Sequence, residues 1–145
     1  MDCREQRGID LHIHSTASDG TLTPAQILDL AQAQLLGAIA ITDHDTIDGS
    51  KEALQVGIPS SLQFLTGVEL SAAPPSFLRR SGSFHILGYG LRLDDDELNQ
   101  TLLVLQQARE NRNPAIIERL GRLGFDMTLA EVVEMVGESQ MGRPH

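Results

Sequence analysis

The sequence predicts an α/β fold of parallel βα units, and three observations predict it. Short apolar runs of strand length recur at residues 9–14, 38–41, 63–68 and 85–89. Amphipathic stretches of helical period separate the first three runs. Ionisable side chains gather where these runs end, as ligands do at the carboxyl ends of strands in open α/β sheets.

In chain order, residues 1–8 are polar and read as a loose stretch. The segment IDLHIH places Asp10, His12 and His14 on one strand face and Ile9, Leu11 and Ile13 on the other. Same-face neighbours lie about 6–7 Å apart, close enough for two imidazoles to meet on one cation. A plain strand with one solvated face has the same alternation, so this segment alone leaves both readings open. Asp19 follows on a Ser/Thr/Asp/Gly loop. Thr23, Pro24 and Gln26 supply a capping hydroxyl, a first-turn proline and a capping-box partner for a helix that Gly37 ends. Ala38–Ile41 is continuously apolar, the pattern of a strand buried on both faces, and it runs into Thr42-Asp43-His44-Asp45.

Residues 50–56 predict a short helix, and 63–68 a third strand with Glu69 at its end. A proline-containing, basic connection over 73–83 leads to a fourth strand that opens on His85. From Asp94 the pattern becomes helical. Leu98, Leu102 and Leu105 mark one helix, Pro114 starts a second that ends before Gly124, and Thr128 with Glu131 forms a capping box for a third.

Composition narrows the function. The 145 residues fit one domain, and 41% hydrophobic with 21% charged residues is a globular balance. The net charge of −9 argues against a broad nucleic-acid-binding surface, and a single Tyr, four Phe and no Trp argue against a base-stacking platform. The lone Cys3 offers neither an internal disulfide nor a thiolate cluster, which suits a reducing compartment. No run of membrane-spanning length and no export leader is evident, so the chain reads as cytoplasmic with no membrane partner.

His14 and Asp19 follow the first strand, Asp43, His44 and Asp45 the second, Glu69 the third, and His85 flanks the fourth. Each has a plainer reading: Asp43 and Asp45 as turn or cap residues, Glu69 and His85 as surface groups. Taken together they predict one crevice lined by imidazoles and carboxylates, a donor set suited to Zn, Mn or Fe. A carboxylate such as Glu69 can bridge two cations, which favours a polynuclear hydrolytic site. The expected nucleophile is metal-bound hydroxide, not a side chain.

HIHSTASDG, ITDHD, GVELSA and FHILGYG, spread over most of residues 9–90, resemble the successive motifs of the polymerase and histidinol phosphatase (PHP) superfamily. RENRNP and the terminal GRPH resemble the subgroup that removes the 3′-phosphate of 3′,5′-nucleoside bisphosphates and degrades short RNA from its 5′ end. The resemblance implies one metal on His12, His14 and Glu69, a second on Asp19 and His44, and a third on Glu69 with His85. It implies that Arg109, Arg112, Arg143 and His145 sit beside substrate phosphates, a task suited to a guanidinium fork. Arg109 and Arg112 also read as ordinary cations at a helix end.

The implied fold is the N-terminal part of a distorted (β/α)7 barrel. Its βα units occupy residues 1–93, and a small helical subdomain with the GRPH segment occupies 94–145. Four strands cannot close such a barrel, so the rest is expected from a longer polypeptide or a partner chain. The implied activity is metal-dependent hydrolysis of phosphate esters in nucleotides or short RNA, with two or three divalent ions and little turnover by this chain alone. The alternatives are a non-catalytic metal-binding fragment, a histidinol-phosphate phosphatase or a polymerase-associated exonuclease.

Overall fold

Residues 7–75, 77 and 84–136 are described by a computed structural model. Their elements are β1 (Ile9–Ile13), α1 (Pro24–Ala33), β2 (Ala38–Ile41), α2 (Asp48–Val56), β3 (Gln63–Ala72), β4 (Phe84–Tyr89), α3 (Asp96–Arg122) and α4 (Leu129–Val136). The two sequence-predicted capping boxes form. Thr23 accepts from the Gln26 amide while Gln26 reaches back to the Thr23 amide, and Thr128 and Glu131 do the same ahead of α4.

The strands lie in the order β1-β2-β3-β4. β2 pairs in parallel with β1 and with β3, and all four of its residues are buried, which accounts for its unbroken apolar sequence. Ile39 and Ile41 pack with Ile27, Leu28 and Ala31 of α1 and Ala53 of α2 to form the main core. A second core joins Ile47, Val68 and Leu102 beneath α3. The sheet curls: the Tyr89 hydroxyl on the fourth strand donates to the Leu11 carbonyl on the first, at 2.9 Å. No described helix is long and apolar enough to cross a membrane.

Three sequence expectations need correction. β4 runs antiparallel to β3, where parallel units throughout were expected. Residues 73–83 carry no helical pattern, and a parallel crossover needs a dozen or more residues, usually a helix. β3 extends to Ala72, so Glu69 lies inside the strand and not at its end. Finally, α3 passes through Pro114 without a break. Pro114 withdraws one amide from the ladder, which leaves the carbonyl of Glu110, an exposed residue, without its helical donor.

β1 forms one edge of the sheet, and its apolar face is only partly covered. Ile13 packs against the core, whereas Ile9 is 65% exposed. Beside it runs a groove of about 680 Å³ lined by Ile9, Ile13, Leu22, Leu30 and Leu36, with His14 and Asp19 also on its wall.

Gly49 shows how tightly the second βα turn is built. A Cβ there would collide with the Asp43 carboxylate and lie 2.6 Å from Ser15 Oγ and 3.0 Å from Ile41 Cγ2. Alanine is the better helix former by about 1 kcal/mol, so helix propensity alone would make Gly49→Ala stabilising. Overpacking reverses that sign, and the expected result is a loss of about 1–3 kcal/mol in urea denaturation.

Candidate metal centre

Six of the residues singled out above converge on one side of the curled sheet. His12 projects from β1 and His14 from the residue after it. Their rings sit 5.2 Å apart, as the strand alternation requires. Asp19 is brought back to His14 by a tight turn in which the Ser18 and Gly20 amides both donate to the Ser15 carbonyl, at 3.0 and 2.9 Å. Gly20 closes that turn, since a Cβ there would strike the His14 carbonyl. Asp19 Oδ1 then lies 3.3 Å from His14 Nδ1, and its Oδ2 lies 3.5 Å from His44 Nε2.

His44 and Glu69 are locked together through the backbone. The Glu69 amide donates to the Asp43 carbonyl and the Asp45 amide donates to the Glu69 carbonyl, each at 3.0 Å, so the strand pairing brackets His44. The Glu69 carboxylate is the meeting point of the site. Its Oε2 lies 3.1 Å from His12 Nε2, 2.9 Å from His14 Nε2 and 3.5 Å from His44 Nδ1, and its Oε1 lies 2.6 Å from His85 Nδ1. His85 reaches it because β4 is antiparallel: the beginning of that strand, not its end, faces the crevice.

The side chains fall into three potential ligand groups: His12, His14 and Glu69; His14, Asp19 and His44; and His44, Glu69 and His85. Within each group the donor atoms lie within 4.8 Å of one another. The donors are imidazole and carboxylate, a set that suits first-row divalent ions. His44 Nδ1 is buried and, apart from Glu69 Oε2 at 3.5 Å, makes no hydrogen bond among the described residues, a costly arrangement for a polar atom unless something else takes its lone pair or its proton. These residues fit a divalent-cation centre.

Asp43 and Asp45, counted in the sequence among residues facing the crevice, are instead buried in the scaffold at 1% and 0% exposure. Asp43 accepts from the Ser15 amide and hydroxyl, both at 2.7 Å, and from the Ser18 hydroxyl at 2.6 Å. Asp45 accepts from the Ser71 amide and hydroxyl, both at 2.7 Å, and from Arg109. Arg109, expected beside substrate phosphates, is itself buried, with its Nε and Nη2 on Asp45. Arg112 lies one turn further along α3 and is half-buried. Arg143 and His145 lie outside the described residues. Ser15, Ser18, Ser71 and Gln106 supply donors to these aspartates, roles that no motif in the sequence marks. The recurrence of small hydroxyl residues beside the acidic motifs was the available signal.

Burial and hydrogen bonding act differently on two residues of the centre, His44 and Glu69. It holds the His44 imidazole below its ordinary value of 6.5, against the pull of Glu69 and Asp19 in the other direction. Burial works to raise Glu69, but hydrogen bonds from His12 and His85 outweigh it and hold the carboxyl below the usual range. For His44 the unfolded chain binds the proton more readily than the folded one. Its contribution to stability is therefore complete above about pH 6.5 and is lost as pH falls through the lower folded value. The expected outcome is that metal-free protein loses stability from pH 7 to pH 5, and that His44→Gln shows a shallower loss in thermal melts over the same interval.

Comparison with known proteins places the chain in a family. Residues 10–119 match the family model described as the PHP domain. The chain is 35% identical to the 3′,5′-nucleoside bisphosphate phosphatase of Chromobacterium violaceum, over 93% of this chain and 48% of that protein. It is 37% identical to a 5′-3′ exoribonuclease of Haemophilus influenzae, over 80% of this chain and 40% of that protein. Among solved structures, a protein of Bifidobacterium adolescentis described as a metal-dependent phosphoesterase superposes with a TM-score of 0.80 at 30% identity, covering 96% of this chain and 48% of its own. The chain thus spans about half the length of the relatives it matches. With a family match over most of its length and a curled, four-stranded half-barrel that gathers histidines and carboxylates, this chain belongs to the PHP domain family.

Proposed function

We propose that this chain supplies the metal-holding part of a phosphoester hydrolase. Its proposed substrates are small nucleotides, through the 3′-phosphate of a 3′,5′-nucleoside bisphosphate, or the 5′ end of short RNA. The observation that carries the reading is the convergence of three adjoining ligand groups, two of which share the buried carboxylate of Glu69. Two or three divalent cations, of Mn, Zn or Fe, fit those groups. When bound, such ions supply Lewis acidity toward phosphoryl oxygens and activate water for attack.

The chain's own residues have distinct parts. His12, His14, Asp19, His44, Glu69 and His85 hold the cations, with Glu69 shared between two groups. Arg112, together with Arg143 and His145, is assigned to the substrate phosphate. Arg109 supports the scaffold through Asp45. A net charge of −9 disfavours tracking along a polyanion, which favours a small substrate or a strand end over a long polymer. The names of the bisphosphate phosphatase and exoribonuclease relatives support the same substrate class. The lone Cys3 suits a cytoplasmic setting.

The exposed edge at Ile9 and the apolar groove beside His14 and Asp19 favour a second reading of the 145-residue chain taken alone. On that reading it binds metal weakly and turns over little until a further βα unit, from the same polypeptide or a partner, covers the groove.

The test is phosphate release by the full-length polypeptide with Mn2+ or Zn2+. The panel holds nucleoside bisphosphates, mononucleotides, 5′-phosphorylated short RNA and histidinol phosphate. Metal-stimulated release from the bisphosphate or the RNA is expected, and no metal-stimulated release from any member would overturn the reading. Glu69→Gln keeps the shape but removes the charge and replaces one acceptor oxygen with an NH2 group that only donates. It is expected to cut the stimulated rate by more than about 100-fold, a larger effect than the 10–100-fold typical of residues that only support a metal ligand.

A further inference from the structure

We propose that the Asp45–Arg109 pair is a positioning device that couples helix α3 to the metal ligands, so that docking of α3 and binding of a cation strengthen one another. The inference rests on the metal-centre reading above and goes beyond it, because neither residue belongs to a ligand group.

Asp45 follows His44 directly and adopts a left-handed backbone conformation, with φ of 55°, which few residues other than glycine, Asn and Asp take up. Every polar group it has is used. Its amide donates to the Glu69 carbonyl at 3.0 Å, and its carbonyl accepts from Gln106 Nε2 of α3 at 2.9 Å. Its Oδ1 accepts from the Ser71 amide at 2.7 Å. Its Oδ2 accepts from the Ser71 hydroxyl at 2.7 Å and from Arg109 Nε at 3.2 Å and Nη2 at 2.5 Å. Arg109 Nη2 closes the ring by donating to the Ser71 hydroxyl at 3.0 Å. Asp45 therefore adjoins one proposed ligand, His44, and is bonded to the backbone of another, Glu69, and to a residue two positions beyond it. Arg109 and Gln106 are the means by which α3 reaches this junction.

The pair is buried on both sides, at 0% for Asp45 and 8% for Arg109. A buried carboxylate whose cation is removed must find another partner, take up a proton or move toward water. Each response shifts the turn that carries His44 and the strand that carries Glu69. Lysine retains the charge but cannot present the Nε and Nη donors as a fork. Coupling between the clamp and the cation is reciprocal by thermodynamic necessity: whatever factor the clamp contributes to cation affinity, the cation returns to the docking of α3.

The experiment measures Mn2+ binding by calorimetry, without substrate, in the full-length wild type and in Arg109→Ala, Arg109→Lys and Arg122→Ala. The exposed Arg122 pairs with Glu118 on the same helix, at 2.6 Å, and serves as the control. Expected are a 10–100-fold loss of Mn2+ affinity in Arg109→Ala, the range typical of residues supporting a metal ligand, partial recovery in Arg109→Lys and no change in Arg122→Ala. Hydrogen exchange of the wild type with and without Mn2+ is the second readout, with slower exchange expected in the amides of 103–112 when Mn2+ is present. A folded Arg109→Ala that binds Mn2+ like the wild type overturns the proposal. If that variant fails to fold, the wild type decides: unchanged exchange in α3 on adding Mn2+ overturns the coupling, and slowed exchange supports it. A wild type that binds no Mn2+ overturns the metal-centre reading and this inference with it. A role for Arg109 in holding substrate phosphate alone would leave Mn2+ affinity unchanged, so that outcome also counts against the clamp.

Discussion

Two buried carboxylates on either side of one histidine hold this fold in register. An ionised carboxylate can be taken out of water only if donors surround it. Asp43 draws its donors from the loop after the first strand, and Asp45 draws its own from the third strand and the long helix. Three segments far apart in sequence are thereby fixed relative to His44. The apolar core beneath the sheet supplies the bulk of the driving force, but it is non-directional. The carboxylates decide how the loop, the strand and the helix are aimed.

The third strand contributes the other constraint. Its first residues pair in parallel with β2 as far as Thr66, and from Gly67 onward it pairs antiparallel with β4. Gly67 stands at the changeover, where a Cβ would lie 2.6 Å from Thr42 Cγ2 and 2.8 Å from the Ile41 carbonyl. Because β3 continues past the end of β2, Glu69 is held by pairing with β4 at the level where β1 and β2 have given way to loops. A carboxylate approached by four imidazoles is thus mounted on a strand and not on a flexible connection.

The local signals in the sequence were the legible ones. The capping boxes at Thr23 and Thr128, the doubly buried run at Ala38–Ile41 and the alternation that turns His12 and His14 to one side all act over a few residues. Non-local features were harder to read. The direction of β4 depends on how its partner is exposed, and the sequence around His85 is the same whichever way the strand runs. Pro114 is a strong local stop signal that the surrounding helix overrode. Asp43, Asp45 and Arg109 had the right residue types for a crevice but were drawn into the scaffold, because a strand end supplies both kinds of position and spacing does not separate them. The sequence set Glu69 at the end of its strand, whereas the strand continues three residues past it.

The clamp also has a history in time. Arg109 lies 64 residues beyond the aspartate it grips, and Glu69 lies 57 residues beyond His12. Synthesis runs from the N-terminus at about 5–20 residues per second, so the residues through Glu69 are made seconds before the arginine that pairs with Asp45. During that interval the histidines and carboxylates belong to a chain in which Asp45 still lacks its cation. The long helix is accordingly the last of the segments around Asp45 to deliver its donors, and the junction beside His44 closes only when that helix has been made.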